Sequence, residues 1–419
     1  AHLAPIFPGC LGPVPPSVEV LGRGRLPVGD GCGRRCDAQS IAHALEQRCR
    51  VGLSQWRLDD VVELIRGPKD STVRLEIIHS ESEVEITKVI SIVRNTVRLE
   101  EQAARAKILE LENEQGPSLI GVLDIPTFYI DFQGKQSGDP NYKSTTRDVK
   151  KLIQRLKDKQ VDAIVVDLRG NGGGSLEEAR SLTGLFIDQG PMVQVKSARR
   201  RTSVLADQDD QVYWDGPLVV MVNRLSASAS EIFAGAMQDY GRAIIVGNQT
   251  FGKGTVQTLI PLNRGQLKLT AAKFYRISGE STQHQGVIPD IHFPEFYDSS
   301  KIGESSHDDA MPWDTIRPAN YKVYSNIDSY INGIRQAHQS RTADNADFKY
   351  FKAIANRNKT FAERTHISLN EKVRIKEKAE DDSWRLDMEN QLRQAKGKPL
   401  AKDLDHLDEL EKEESEKNE

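Results

Sequence analysis

Cysteine is nearly absent from this chain of 419 residues. It has four, Cys10, Cys32, Cys36 and Cys49, and none occurs after them. Nothing beyond residue 50 can therefore be held by a disulfide. Cys32 and Cys36, with Cys10 and Cys49, could in principle bind zinc. Their spacing fits no common zinc module, and we read them as unrelated thiols. No run of about eighteen apolar residues exists, so no spanning helix is expected. Excess charge of one sign is also missing: 57 Lys and Arg face 61 Asp and Glu, for a net charge of −4. That balance gives no reason to expect nucleic acid or an acidic membrane as partner. The opening residues lack a basic stretch followed by an apolar one, so no signal peptide is read. There is no His-Glu-x-x-His and no Gly-x-Ser-x-Gly, which leaves zinc peptidase and Ser–His–Asp hydrolase chemistry unsupported.

Residues 1–54 are rich in Gly, Pro and Arg, hold every cysteine, and show no lasting periodicity. Such a segment buries little apolar surface and reads as loop or disorder. Leu58, Val61, Val62 and Ile65 then form a helical stripe stopped by Gly67-Pro68. Val73, Leu75 and Ile77 alternate as a strand, and Val84, Ile86 and Val89–Val93 supply its partner. This makes a small α+β unit ending near Val97.

From Leu119 the character changes. Apolar runs at Ile120–Ile125, Ala163–Val166, Leu218–Val222 and Ala243–Val246 alternate with helical stretches at Thr146–Lys159, Leu176–Phe186 and Ser230–Tyr240. Strands apolar throughout and separated by helices predict a largely parallel sheet covered on both faces. An alternating strand is expected at Gln266–Tyr275, and Gly286-Val-Ile-Pro-Asp-Ile closes the unit. Beyond Asp314 the chain is polar and helix-forming, with the Glu-rich end from Leu410 expected to fray.

Three segments carry candidate chemistry. Ser226, Ser228 and Ser230 lie between the strand ending at Val222 and an amphipathic helix. Free N–H groups and the positive dipole end there suit a nucleophile, but serines at such a place are also ordinary helix caps. Asn171-Gly172-Gly173-Gly174 follows the strand ending near Asp167. Its backbone could form an oxyanion hole, bind phosphate or simply turn the chain. Gly247 to Gly254 nearly matches a phosphate-binding loop around Lys253, but Gly254 stands where Ser or Thr must hold magnesium. A lysine among glycines can instead approach a serine and, if desolvated, act as a base. His284 and His292 read as surface or turn residues.

Seven stretches together, WRLDDVVELIRGPK, GVLDIPTFY, VVDLRGNGGGSLEEA, SASASEIFAGAMQDYGRA, TFGKGTVQ, KFYRISGESTQ and GVIPDI, resemble the tail-specific, carboxyl-terminal-processing serine peptidases of Gram-negative bacteria. The resemblance covers the chain from about Trp56 to its end. It implies an α/β fold: a ClpP/crotonase-like protease core at 98–313, a partial PDZ domain at 55–97 and a helical C-terminal domain at 314–419. Residues 1–54 do not resemble a PDZ first half, and read as a disordered or misassembled segment.

The resemblance further implies Ser228 as nucleophile and Lys253 as general base, with Asp239 and Gln257 also catalytic. Backbone N–H groups of Gly174 and Ala229 are the implied oxyanion hole. No metal or cofactor is implied. The expected activity is endoproteolysis through an acyl-enzyme, on proteins captured by apolar C-terminal tails in the periplasm. An adaptor protein and peripheral membrane association are compatible with it. A non-catalytic peptide-binding protein, or an inactive fragment, is the rival reading.

Overall fold

Four apolar strands, adjacent and parallel, build the centre of the larger unit. In the computed structural model the described residues are 61, 65–78, 87–95, 102–113, 116–198, 200–207, 210–263, 265–298, 301–324 and 327–418. The expectations for residues 1–54, for most of the 58–65 helix and for Val84 and Ile86 lie outside them. The chain divides into two compact units, residues 1–99 and 100–419.

In the first unit, β1 (Thr72–Ile78) and β2 (Thr87–Val93) pair antiparallel, with Leu75 opposite Ile90. Arg94 ties the unit together by donating to the Ile65 carbonyl and to Ser71 Oγ.

The second unit is larger. Its strands are β3 (Arg105–Asn113), β4 (Gly116–Asp124), β5 (Ala163–Asp167), β6 (Gly190–Lys196), β7 (Ser203–Asp207), β8 (Leu218–Val222), β9 (Ile244–Gly247), β10 (Thr255–Pro261), β11 (Gln266–Tyr275) and β12 (Ile291–His292). Its helices are α1 (Phe132–Ser137), α2 (Thr145–Asp158), α3 (Leu176–Thr183), α4 (Ala229–Asp239), α5 (Asp328–Ala343), α6 (Ala346–Ala362), α7 (Glu371–Ala395) and α8 (Leu404–Asn418).

One sheet runs β12-β9-β8-β5-β4-β3, parallel except for the antiparallel edge strand β3. The predicted parallel strands are all present, and Leu123, Ile164, Val166, Val220, Val222 and Ile245 are fully buried. α2 lays Val149, Ile153 and Leu156 on this core, and α3 and α4 pack against each other. A second, antiparallel sheet, β10-β11-β6-β7, was not foreseen apart from β11. β7, β10 and most of β11 are partly or largely exposed, and buried β6 carries Pro191 and Gln194 among its apolar residues, so none shows the continuous apolar signal of buried parallel strands. The C-terminal residues form the expected helices, but α8 continues to Asn418 rather than fraying from Leu410. Among the described residues no helix is long and apolar enough to cross a membrane.

β5, β8 and β9 are adjacent, and their ends are level: Asp167 pairs with Met221, and Val222 with Gly247. The three turns leaving them therefore emerge together at the carboxyl edge of the sheet, where open α/β sheets place their ligands.

Candidate active site

Those three turns are the three segments that carry candidate chemistry. The first two are bound to one another by Asn171, which is fully buried. Its side chain donates to the Ile125 carbonyl (2.8 Å) and accepts from the Gly173 N–H (2.9 Å). Its own carbonyl accepts from Ala227 N (3.0 Å) and Ser230 Oγ (2.9 Å). Ser226 Oγ donates to the Leu168 carbonyl at 2.8 Å. Two of the three serines thus have their hydroxyls committed to the backbone carbonyls of Leu168 and Asn171. Ser228, half-buried between them, is the one presented at the helix start.

Ser228 is the N-cap of α4, with φ 55° and ψ −108°. A non-glycine residue at positive φ is strained by about 1–3 kcal/mol, and such strain gathers at functional sites. The glycine turn explains how the neighbouring backbone comes so close. Gly173 has φ +104°, and a side chain there would bring a Cβ to 2.9 Å from Ser228 Cβ and 3.1 Å from Ala229 N. Gly174, at φ +143°, abuts the Phe128 carbonyl, where a Cβ would lie 2.2 Å away. Phe128 grips both sides of that residue, donating its N–H to Gly173 (3.0 Å) and accepting from Ser175 N (2.9 Å). The N–H groups of Gly174 and Ala229 find no acceptor among the described residues. The Gly173 N–H, by contrast, is taken by Asn171.

The third turn joins through a residue the sequence reading passed over. Glu231 is fully buried on the first turn of α4. Its Oε2 accepts the N–H of Ser228 (2.7 Å) and of Lys253 (3.0 Å). Its Oε1 accepts from Gly252 N and Thr250 Oγ1, each at 2.6 Å. Burial pushes this carboxyl up to about 7, against the pull of those four hydrogen bonds. The spacing Ser228-x-x-Glu231 is that of a capping box, a signal that marks the helix start but not the bonds to the lysine turn.

Burial also lowers the Lys253 ammonium below the ordinary lysine value. The positive charge of Lys268 lowers it further, while Glu304 and Glu231 act the other way. Lys253 Nζ donates to Gln257 Oε1 at 3.4 Å, a long contact to an exposed side chain beside the Val256/Gln257 bulge of β10. No direct hydrogen bond joins Lys253 Nζ to Ser228 Oγ. Such pairs commonly close only when substrate is bound.

Ser228, Lys253, Gln257, Gly174 and Ala229 are thus gathered around one edge of the sheet. Asp239 is not among them. It ends α4, eleven residues beyond Ser228, or about 16 Å at 1.5 Å per residue. There it forms a two-pronged ion pair with Arg276, at 2.5 and 3.2 Å, with both side chains largely buried. His292 is exposed on β12. His284 occupies a turn at φ 64°, and its buried Nε2 has no hydrogen-bond partner among the described residues.

Residues 119–293, which hold this entire arrangement, match the family model of peptidase family S41. That segment belongs to the family. Residues 297–419 match the C-terminal domain of tail specific protease. The chain is 43% identical to the tail-specific protease of Haemophilus influenzae over 84% of its own length and 50% of that protein. It is 36% identical to the carboxy-terminal-processing protease of Bartonella bacilliformis over 57% of its length and 51% of that protein. The chain spans about half the length of these curated relatives. Among solved structures it resembles a photosystem II D1 C-terminal processing protease, at 26% identity and a TM-score of 0.41, over 59% of this chain and 62% of that one. The S41 fold here is a mixed α/β core with a helical C-terminal region. Besides Glu231, the sequence reading left the Asn171 side chain without a role, and Asn171 is what joins the first two turns.

Proposed function

We propose that the chain is a serine endopeptidase in which Ser228 is the nucleophile and Lys253 the general base. The observation that carries this is the single buried carboxylate of Glu231, bonded to the backbone N–H of both residues. It couples a strained serine at a helix start to a desolvated lysine on a separate turn.

In this reading neutral Lys253 takes the Ser228 hydroxyl proton as Oγ attacks the peptide carbonyl. The oxyanion meets the unpaired N–H groups of Gly174 and Ala229. Loss of one such donor typically costs about 10²–10³ in rate. Lys253 then passes its proton to the leaving amine, the C–N bond breaks and an acyl-enzyme remains. Water, deprotonated by Lys253, attacks the ester and releases Ser228. Gln257 accepts from the lysine and limits its rotation. Asp239 acts, if at all, through Arg276 and not on the reacting atoms.

The names of the relatives support protein substrates processed at or through their carboxyl ends. We extend this to capture of apolar C-terminal tails, with 55–97 as the closing half of a PDZ domain. On this reading 98–313 is the peptidase core and 314–419 the helical domain, working in the periplasm with an adaptor. The test is hydrolysis of an unfolded protein bearing an apolar tail. Ser228→Ala should abolish it, and equal rates for the two proteins would defeat the assignment.

A further inference from the structure

Lys253 lies between Gly252, at φ +90°, and Gly254. Flanked by two glycines and carried on a four-carbon stem, its ammonium is poorly placed by its own backbone. Yet all six backbone polar groups of residues 252–254 are hydrogen-bonded. Glu231 takes the N–H of Gly252 and of Lys253. The Phe274 N–H donates to the Gly254 carbonyl at 2.9 Å. The other three bonds come from three consecutive residues of one turn. His284 N donates to the Gly252 carbonyl (2.8 Å), Thr282 Oγ1 to the Lys253 carbonyl (3.2 Å), and Gln283 Oε1 accepts from Gly254 N (2.9 Å).

Gln283 is fully buried, and its amide has a second partner: Nε2 donates to Glu304 Oε1 at 3.0 Å. Glu304 in turn donates its backbone N–H to the Phe251 carbonyl at 3.0 Å. The lysine turn is therefore held on one side by Glu231 and on the other by Gln283, with Glu304 behind it. Approach is close enough that a Cβ on Gly254 would lie 2.9 Å from Gln283 N and 3.1 Å from Gln283 Cβ. These contacts give the stretch KFYRISGESTQ, which holds none of the reacting groups, a place in the site.

We infer that Gln283, backed by Glu304, is a positioning residue that holds the Lys253 turn, and with it the lysine side chain, at the sheet edge that carries Ser228. The inference rests on the assignment of Lys253 as base. Without Gln283 the Gly254 N–H is buried with no acceptor, the turn opens to water and the lysine regains solvation. A solvated lysine holds its proton more tightly, so less of the neutral base is present at a given pH.

The experiment follows Ser228 labelling by a fluorophosphonate, and peptide hydrolysis, as functions of pH. Gln283→Ala should lower kcat with little change in KM and move the acid limb of both profiles upward, leaving about tenfold less activity below the limb for each unit moved. A purely structural role would lower the melting temperature and leave the limb in place, which overturns the inference. Gln283→Glu keeps an acceptor for Gly254 but sets a carboxylate against Glu304. Adding Glu304→Gln restores a donor–acceptor pair of unchanged total charge, and should recover the rate to within about threefold by double-mutant logic. Effects of these two changes that simply add overturn the inference even where Gln283→Ala does not fold. If the unchanged chain is neither labelled at Ser228 nor active, it is the Ser–Lys assignment that falls.

Discussion

The backbone N–H of Ser228 donates to the side chain of Glu231, three residues on, across 2.7 Å. That bond fixes the turn whose strain presents the serine, and the same carboxylate continues to the lysine turn. Four donors converge on it. Glu231→Gln leaves an amide nitrogen facing donors, and Glu231→Ala leaves all four unpaired. Losses of about 2–5 kcal/mol are expected, larger for alanine, because unsatisfied buried groups carry their full desolvation cost. Denaturant unfolding measures this, and fluorophosphonate labelling should fall with it.

Glu231 also sets a pH dependence of stability. Its carboxyl, ordinarily near 4.5, is pushed up to about 7 in the folded chain. The folded state thus keeps a proton that the unfolded chain has already lost. Raising the pH from about 4.5 to about 7 removes stability, by about 3 kcal/mol at most, and no more is lost above that. Subtracting the unfolding free energy of Glu231→Gln, pH by pH, isolates this contribution. A difference that stays flat over that range would show the carboxyl is not raised.

Activity should climb with pH as Lys253 loses its proton, with a limb below the ordinary lysine value of 10.5 because burial disfavours the ammonium. Lys253→Ala should abolish hydrolysis. Lys253→Arg should not restore it, since a guanidinium stays protonated. Measured kcat/KM against pH, alongside the two variants, tests both statements.

Gly173→Ala and Gly172→Ala make a matched pair. At Gly173 a methyl meets Ser228 Cβ and the Ala227 carbonyl (2.8 Å) at a positive φ; at Gly172 nothing lies within 4 Å. The first should destabilise the protein by about 1–3 kcal/mol and remove activity, while the second should leave both nearly unchanged. Equal effects of the two would contradict the close approach.

Asp239→Ala leaves Arg276 buried without its counter-charge, with Gln238 Oε1 alone among the described residues still accepting from its guanidinium, and should cost about 3–5 kcal/mol. Asp239→Ala combined with Arg276→Met should regain part of that loss. Ser228 labelling in the folded fraction should persist, because α4 separates the pair from the serine. Thermal melts and labelling, read together, distinguish lost stability from lost chemistry.

The strands at Ala163–Asp167 and Leu218–Val222 were legible because both their faces are buried, so nearly every residue is apolar. β3, β7 and β6 were not: β3 and β7 are largely or partly exposed and share their composition with loops, while buried β6 interrupts its apolar run with Pro191 and Gln194. Ser228 and Lys253 stood out by motif. Glu231 did not, because a glutamate three residues past a serine on a helix start is what an ordinary capping box contains. Asp239 was read as a site residue, and only the length of α4 shows how far it stands from Ser228.

What the sequence determined by itself was local: apolar runs, turn glycines, helix starts and the motif order of a peptidase family. Which turns meet was decided only by the order of β5, β8 and β9 in the sheet. That order brings residues some eighty positions apart to one edge. A carboxylate buried among four donors there acquires a role that no neighbour in the chain could signal, because desolvation and hydrogen bonding depend on what surrounds a group in space.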